Sequence, residues 1–216
     1  MAYIYKTGRA ELHDQIKKHA SVITGRVLDI GAGSYSRYQN LFKFTEYVRM
    51  DIAPGKGVDA VGTIESIPFP DNSFDSIVCT QVIGDVFDLE KAFAEIKRVL
   101  KPNGVALITE SLLDPLHDEP HDFWRFTEHS LRALSIRAGF TVETVEKRGG
   151  FFSIMAQLKA RYMIEFFHAN RWFLGRLMSP LLKIEGMFAR FLDRIDPTQA
   201  NKSFTHGYIL IIRKHA

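Results

Sequence analysis

The chain holds one cysteine, Cys79, among 216 residues, so no intramolecular disulfide can staple it. Cys79 lies inside the apolar run 76–80, which makes it a small core residue in a buried strand. Long apolar runs are also missing: nothing approaches the ~20 residues that a membrane-crossing helix needs. Residues 1–20 mix charged and apolar side chains without the hydrophobic segment of a secretory signal, so a cytoplasmic protein is expected. Charge of one sign is scarce. Twenty-eight Lys and Arg against 25 Asp and Glu leave +3, and the basic residues are spread along the chain, which disfavours a nucleic-acid partner. Repeats and low-complexity segments are absent. The 46% hydrophobic and 25% charged residues are enough for a folded globular chain with a sizeable core.

From residue 26 to 146 short apolar runs alternate with longer amphipathic segments, the pattern of a parallel sheet with crossover helices. Strands are predicted at 27–30, 47–51, 60–62, 76–80, 105–109 and 141–146, and Tyr-Ile-Leu-Ile-Ile at 208–212 returns to strand character. A helix over 89–100 places Ala92, Phe93, Ile96, Val99 and Leu100 on one stripe and stops at Lys101-Pro102-Asn103-Gly104. A second, over 130–138, follows Thr127 and ends at Gly139.

Val27-Leu28-Asp29-Ile30-Gly31-Ala32-Gly33-Ser34 reads as an apolar strand running into Gly-Ala-Gly and a helix. Glycines there let the backbone N–H groups come close to a nucleotide-like ligand, although a plain tight turn explains two glycines equally well. Asp51 ends the next strand about twenty residues on, where a carboxylate can accept hydrogen bonds from both ribose hydroxyls. A nicotinamide dinucleotide site would show the same acid. Here Ser36 stands in place of the third glycine of Gly-x-Gly-x-x-Gly, which disfavours a pyrophosphate site.

The downstream run separates these readings. Ile64-Glu65-Ser66-Ile67-Pro68-Phe69-Pro70-Asp71-Asn72-Ser73-Phe74-Asp75 resembles the Ala-Glu-x-Leu-Pro-Phe-x-Asp-x-Ser-Phe-Asp segment of class I S-adenosylmethionine-dependent methyltransferases. Val99-Leu100-Lys101-Pro102-Asn103-Gly104 resembles their Val-Leu-Lys-Pro-Gly-Gly turn. The resemblance covers about residues 26–110 and is to the type 11-like methyltransferase domain family, which includes small-molecule and lipid-modifying enzymes. It implies an α/β fold: a doubly wound, Rossmann-like, mostly parallel seven-stranded sheet with helices on both faces.

The same resemblance implies S-adenosylmethionine as cofactor and S-adenosylhomocysteine as product. It puts Gly31 and Gly33 near the methionine end of the cofactor, Asp29 behind the loop, Asp51 on the ribose and Ile52 on the adenine face. Thr63 stands where the family usually has the aspartate that accepts from the adenine amino group, and Ile64 offers its backbone N–H to the ring. Cys79-Thr80-Gln81-Val82-Ile83 matches the segment that closes over the cofactor, which places Gln81 there; Gly84-Asp85 replaces the family's frequent Glu-His. The implied activity is methyl transfer to oxygen, nitrogen or carbon of a small or lipid- or saccharide-linked acceptor. The rivals are an enzyme of the same fold that uses the cofactor without methyl transfer and an inactive binding or scaffold protein.

In such a sheet ligands lie beyond the carboxyl ends of the strands, so the segment 110–128 after the fifth strand faces the transferred methyl. Pro120-His121-Asp122-Phe123-Trp124-Arg125-Phe126-Thr127 loosely resembles a stretch in bacterial members associated with polysaccharide or lipid-linked pathways. His121 is the expected general base and Asp122 its orienting partner. Phe123 and Trp124 would wall the acceptor pocket, Arg125 would hold an anionic group or the cofactor loop, and His117 would contact substrate. The bland alternative is that 124–127 only lead into the helix from 130. His117, Asp118, His121 and Asp122 in one loop read as solvated polarity, and no metal is expected.

Roughly sixty residues separate the last two strands, where this fold normally has a short hairpin. The expected division is a core of 1–148 with 204–216 and a helical insertion of 149–203, made of two or three amphipathic helices broken at Gly149-Gly150 and Ser179-Pro180. Residues 151–195 carry seven Lys or Arg (Lys159, Arg161, Arg171, Arg176, Lys183, Arg190, Arg194) against three acids, a net +4. Such a stretch suits a cap, a homodimer surface, or a lid or face lying peripherally on a membrane.

Overall fold

The computed structural model describes residues 5–35, 37–169 and 174–216, which fall into two compact units. A sheet unit comprises Ile16–Glu146 and Gly207–Ala216, and a helical unit comprises Lys147–His206 with the N-terminal segment through Gln15. The expected boundary assigned that segment to the core. The hydrogen bonds assign it otherwise: Tyr5 N donates to Ser179 Oγ (3.0 Å), Gly8 N to Gln157 Oε1 (3.1 Å) and Gln15 Nε2 to the Lys147 carbonyl (3.2 Å). The helix α1 (Thr7–His19) therefore begins in the helical unit and ends in the sheet unit.

The sheet unit contains β1 (Arg26–Ile30), β2 (Glu46–Asp51), β3 (Ala60–Val61), β4 (Phe74–Thr80), α2 (Leu89–Val99), β5 (Leu100–Ser111) and α3 (Glu128–Arg137). It ends with β6 (Phe140–Arg148), whose last residues cross into the helical unit, and β7 (Gly207–Lys214). The seven strands are ordered β3-β2-β1-β4-β5-β7-β6. The pairs β1–β2, β1–β4, β2–β3 and β4–β5 are parallel, and β7 runs antiparallel to β5. Strand order reverses between β1 and β4, with Ile30 level with Met50 on one side and Cys79 on the other. That reversal opens a crevice at the carboxyl ends of the strands. Ile77, Val78 and Cys79 of β4 and Leu107 and Ile108 of β5 are all buried, as a parallel sheet covered on both faces requires. Burial keeps the Cys79 thiol protonated.

Two local expectations change. No α-helix follows Gly33: among the described residues the crossover to β2 holds only a 3-10 turn, Gln39–Leu41. The Ser34–Leu41 sequence offers few apolar positions at helical spacing, and the crossover is anchored instead by buried Phe42 and by Phe42 and Phe44 packing on Tyr47. Ser36 lies outside the described residues. The second change is at Leu100, which leaves the helix with extended backbone and pairs with Phe74; Pro102 disfavours helical backbone at Lys101, so the helix cannot continue past this point. α3 starts two residues before the expected 130, directly after Thr127, whose Oγ1 accepts from Ser130 N (3.2 Å), and Gly139 ends it with φ +79°.

The helical unit holds α4 (Phe151–Phe166), α5 (Leu174–Ile195) and α6 (Gln199–Ser203). The orphan N–H groups at the start of α4 are taken by Asp193 of α5, which accepts from Gly150, Phe152 and Ser153 at 2.9–3.1 Å, and by Asn201 Oδ1, which accepts from Phe151 (2.8 Å). Ser179-Pro180 is not a break; α5 runs through it. A proline inside a helix costs about 3 kcal/mol. Packing of Met178 and Leu182 against Ala160 and Ile164 of α4 offsets that cost. Residues 170–173, Arg171 among them, lie outside the described residues.

Candidate active site

The loop after β1 is fixed by its own backbone. Gly31 N and Ala32 N both donate to the Met50 carbonyl (2.9 and 3.1 Å), and Gly33 N donates to Asp51 Oδ2 (2.8 Å). Three successive N–H groups are thereby spent on β2, so none of them faces a pyrophosphate. Gly31 has φ +71°, and a Cβ there would sit 2.4 Å from Val82 Cγ2. Gly33 has φ +59° and opens onto space with no atom within 4 Å of its ideal Cβ. A side chain at Gly33 would fill the space that a ligand at this turn needs.

Asp51 is half-buried at the end of β2, its second oxygen accepting from Ala53 N (3.3 Å). Ile52 beside it is 75% exposed, a free apolar face suited to an aromatic ring. Asp29 is buried behind the loop and accepts from the Tyr47 hydroxyl (2.9 Å). Thr63 is exposed, and Ile64 sends its side chain into the core. Gln81 follows β4 with φ +58°; its N–H goes to the Thr109 carbonyl (2.8 Å) and its Oε1 accepts from Ser111 Oγ. These residues gather at the carboxyl ends of β1, β2 and β4. A groove of about 510 Å³ between α2 and α3, lined by Leu89, Phe93, Lys97, Leu134 and Lys214, contains none of them.

Sequence reasoning missed the part played by Glu110. This carboxyl near the end of β5 is buried, and its Oε1 accepts from Val82 N (2.9 Å) and Ile83 N (2.8 Å). A Cβ on Gly84 would lie 3.2 Å from Glu110 Oε2 and 3.4 Å from the Trp124 carbonyl. The glycine that departs from the family pattern is thus the space that Glu110 fills. The available signal was an acid directly after the apolar run 105–109.

Burial pushes the Glu110 carboxyl from 4.5 to about 7, against the backbone N–H bonds that favour its charged form. A folded value above the unfolded one gives a stabilising contribution that is fully present below pH 4.5 and lost as pH rises through about 7. The loss is on the order of 3 kcal/mol. Glu11 in the helical unit, also raised to about 7 by burial, adds the same sign. Glu110→Gln is therefore expected to flatten the fall of melting temperature between pH 5 and pH 8 relative to wild type. An identical slope in the variant would contradict this assignment.

The segment after β5 is pinned onto the loop after β4. Phe123 N and Trp124 N both donate to the Gly84 carbonyl (3.1 and 3.0 Å), and Trp124 Nε1 donates to the Val86 carbonyl (2.9 Å). Phe123 and Trp124 stay about 40% exposed, with Phe123 edge-on to Phe87. The expected pairing of Asp122 with His121 is not formed. The Asp122 side chain is enclosed, its two oxygens taken by both terminal nitrogens of Arg125, and it also accepts from His117 N (3.1 Å). The bidentate Arg125 bond holds the Asp122 carboxyl below the usual carboxylate range and occupies the guanidinium expected to hold an anion or the cofactor loop. Sequence adjacency suggested His121, but the turn in this loop carries its ring to solvent, where it lies against Phe123.

His117 is the oriented imidazole. Its Nδ1 lies 3.0 Å from the Pro115 carbonyl and 3.4 Å from Asp122 Oδ2, and its Nε2 lies 3.7 Å from Asp85 Oδ1. Both neighbours of Nδ1 are acceptors, which orients the ring and turns Nε2 toward Asp85. Burial raises the Asp85 carboxyl despite the nearby imidazole. Asp85, His117 and Asp118 bring one ligand atom each within 4.8 Å of one another, two of them on exposed residues, a grouping common in solvated loops.

Residues 28–108 match the family model described as a methyltransferase domain. Over that stretch the chain is similar to the class I S-adenosylmethionine-dependent methyltransferases, a family whose cofactor is S-adenosylmethionine. Among its relatives is the uncharacterized methyltransferase YcgJ of Bacillus subtilis, 39% identical over 112 residues that cover 44% of each chain. The crystal structure of YcgJ superposes with a TM-score of 0.53 at 22% identity, covering 96% of this chain and 99% of that one. A ubiquinone/menaquinone biosynthesis C-methyltransferase UbiE of Pasteurella multocida is 40% identical over 65 residues, 29% of this chain and 24% of the relative. The [4+2]-cyclase SpnF has the same fold, with a TM-score of 0.57 at 19% identity over 96% of this chain and 81% of that one. The chain spans less than half the length of these two curated relatives.

Proposed function

We propose that the chain transfers a methyl group from S-adenosylmethionine to an oxygen, nitrogen or carbon atom of a small, lipid- or saccharide-linked acceptor. The observation that carries this reading is the set Gly31, Gly33 and Asp51 at the strand reversal, built inside a methyltransferase domain. Gly33 leaves room for the cofactor's methionine end, Asp51 accepts from the ribose, and Ile52 covers the adenine, with Thr63, Ile64 and Gln81 completing the cradle. The bound cofactor supplies an electrophilic methyl on a sulfonium centre. On the acceptor side Phe123 and Trp124 offer apolar walls. His117 Nε2, with its ring held through Nδ1 by Asp122 and Pro115, takes the proton that an oxygen or nitrogen acceptor releases. The sterol and quinone-pathway methyltransferases among the relatives support an apolar acceptor.

The test is incubation of the chain with methyl-labelled S-adenosylmethionine and an extract separated into aqueous and solvent-soluble fractions. Label is expected in a product. His117→Ala should lower turnover about 100-fold without changing S-adenosylhomocysteine affinity, and His121→Ala should have little effect. Cofactor consumption with no labelled product would overturn the proposal, and the reverse ranking of the two histidines would overturn the assignment of the base.

A further inference from the structure

The helical unit is patterned inside out. The inward face of α5 is made largely of small residues, with Gly186 and Ala189 buried beside Leu182, while Ala156, Gln157 and Ala160 are buried on α4. Ile154 and Ile164 of α4 and Leu182 of α5 point inward, but most of the other large apolar side chains point outward. On α5 Leu177, Leu181, Ile184, Phe188, Phe191 and Ile195 are each more than half exposed, at the alternating four- and three-residue spacing of a single helical stripe. At 1.5 Å per residue that stripe runs about 27 Å. On α4 Met155, Leu158, Tyr162 and Phe166 form a second exposed stripe. A contiguous apolar surface of this kind on a folded chain is maintained for a partner.

We propose that this outward face of α4 and α5 docks onto an anionic lipid membrane. Charge selects the occupant. Of the three acids in 151–195, Glu185 pairs with Lys159 (2.9 Å), Asp193 turns inward to cap α4, and Glu165 is exposed on α4. Lys183 and Arg194 are exposed, hold no ion pair among the described residues, and fall on one side of the α5 stripe at 100° per residue. An apolar stripe edged by unpaired cations fits the boundary between acyl chains and anionic headgroups. A second copy fits less well. The acid flanking the α5 stripe, Glu185, is already paired, so two α5 stripes brought together would face Lys183 and Arg194 with only exposed Glu165 of α4 as an unpaired acid among the described residues of 151–195. Among the described residues no helix is long and apolar enough to cross a membrane, so the contact lies in the membrane plane. The inference rests on the helical unit alone and stands whatever the methyl acceptor is.

The test is co-sedimentation of the full chain with vesicles of phosphatidylcholine, with and without a minority of phosphatidylglycerol. Binding to the anionic vesicles at low salt is expected to be at least about tenfold tighter than to the neutral ones and to weaken in high salt. Lys183→Glu with Arg194→Glu should remove that preference, and Phe188→Ser with Phe191→Ser should abolish binding while leaving the circular dichroism spectrum unchanged, since all four side chains are solvent-facing. Equal binding to both vesicles, or binding to neither, overturns the proposal. A concentration-dependent dimer that the phenylalanine variant dissolves, with no vesicle binding, assigns the face to a second copy and overturns it as well.

Discussion

Gly31→Ala is expected to destabilise the sheet unit by about 3 kcal/mol, lowering the melting temperature by roughly 10 °C. Two costs add. A non-glycine residue in the left-handed region loses about 1–2 kcal/mol, and Gly31 has φ +71°. The new methyl would also sit 2.4 Å from Val82 Cγ2, and overpacking of this kind costs about 1–3 kcal/mol. Val82 is poorly placed to yield, because Glu110 holds its N–H. The two costs separate in a double variant. Gly31→Ala with Val82→Ala should recover the packing share and keep the conformational share, so the pair is non-additive. Equal melting temperatures for wild type and Gly31→Ala would show that this turn is not built as described.

Asp51→Ala is expected to weaken S-adenosylhomocysteine binding by about 100-fold or more. Hydrogen bonds to a charged group are worth about 1.5–3 kcal/mol each, so two ribose contacts account for about 3 kcal/mol or more, and each 1.4 kcal/mol is tenfold in affinity. The variant also frees Gly33 N, loosening the turn on the cofactor side. Because Asp51 is half-buried at the rim, the melting temperature of the cofactor-free chain should move little. An affinity within threefold of wild type, measured by calorimetry, would remove Asp51 from the cofactor site.

The parts of the fold that follow from local chemistry were legible in the sequence. Apolar alternation marked all seven strands, Thr127 marked the start of α3, and Gly31, Gly33 and Asp51 could be picked out by spacing because a strand-end turn and the next strand end are a fixed distance apart in such a sheet. The parts that depend on residues far apart in the chain were not. Asp193 caps α4 from some forty positions away, and the N-terminal segment joins the helical unit through Gln157 and Ser179. Nothing local announces either bond.

The acceptor side shows the same limit at shorter range. Adjacent residues His121 and Asp122 suggested a base and its partner, yet the turn of the loop gives Asp122 to Arg125 and His117. Glu110 and Gly84 are 26 residues apart and read as unrelated until the sheet brings the carboxyl into the space a Gly84 side chain would fill. Pro180 signalled a break by its own chemistry, and tertiary packing of α5 on α4 overrode it.

Titration of the wild-type chain with S-adenosylhomocysteine tests the central claim most directly, because the reading of the loop, of Asp51 and of the proposed activity all require that ligand to bind. One site per chain with a dissociation constant in the range of about 1 μM to 1 mM is predicted, together with a rise in melting temperature on saturation. No heat and no stabilisation at millimolar ligand would contradict the account.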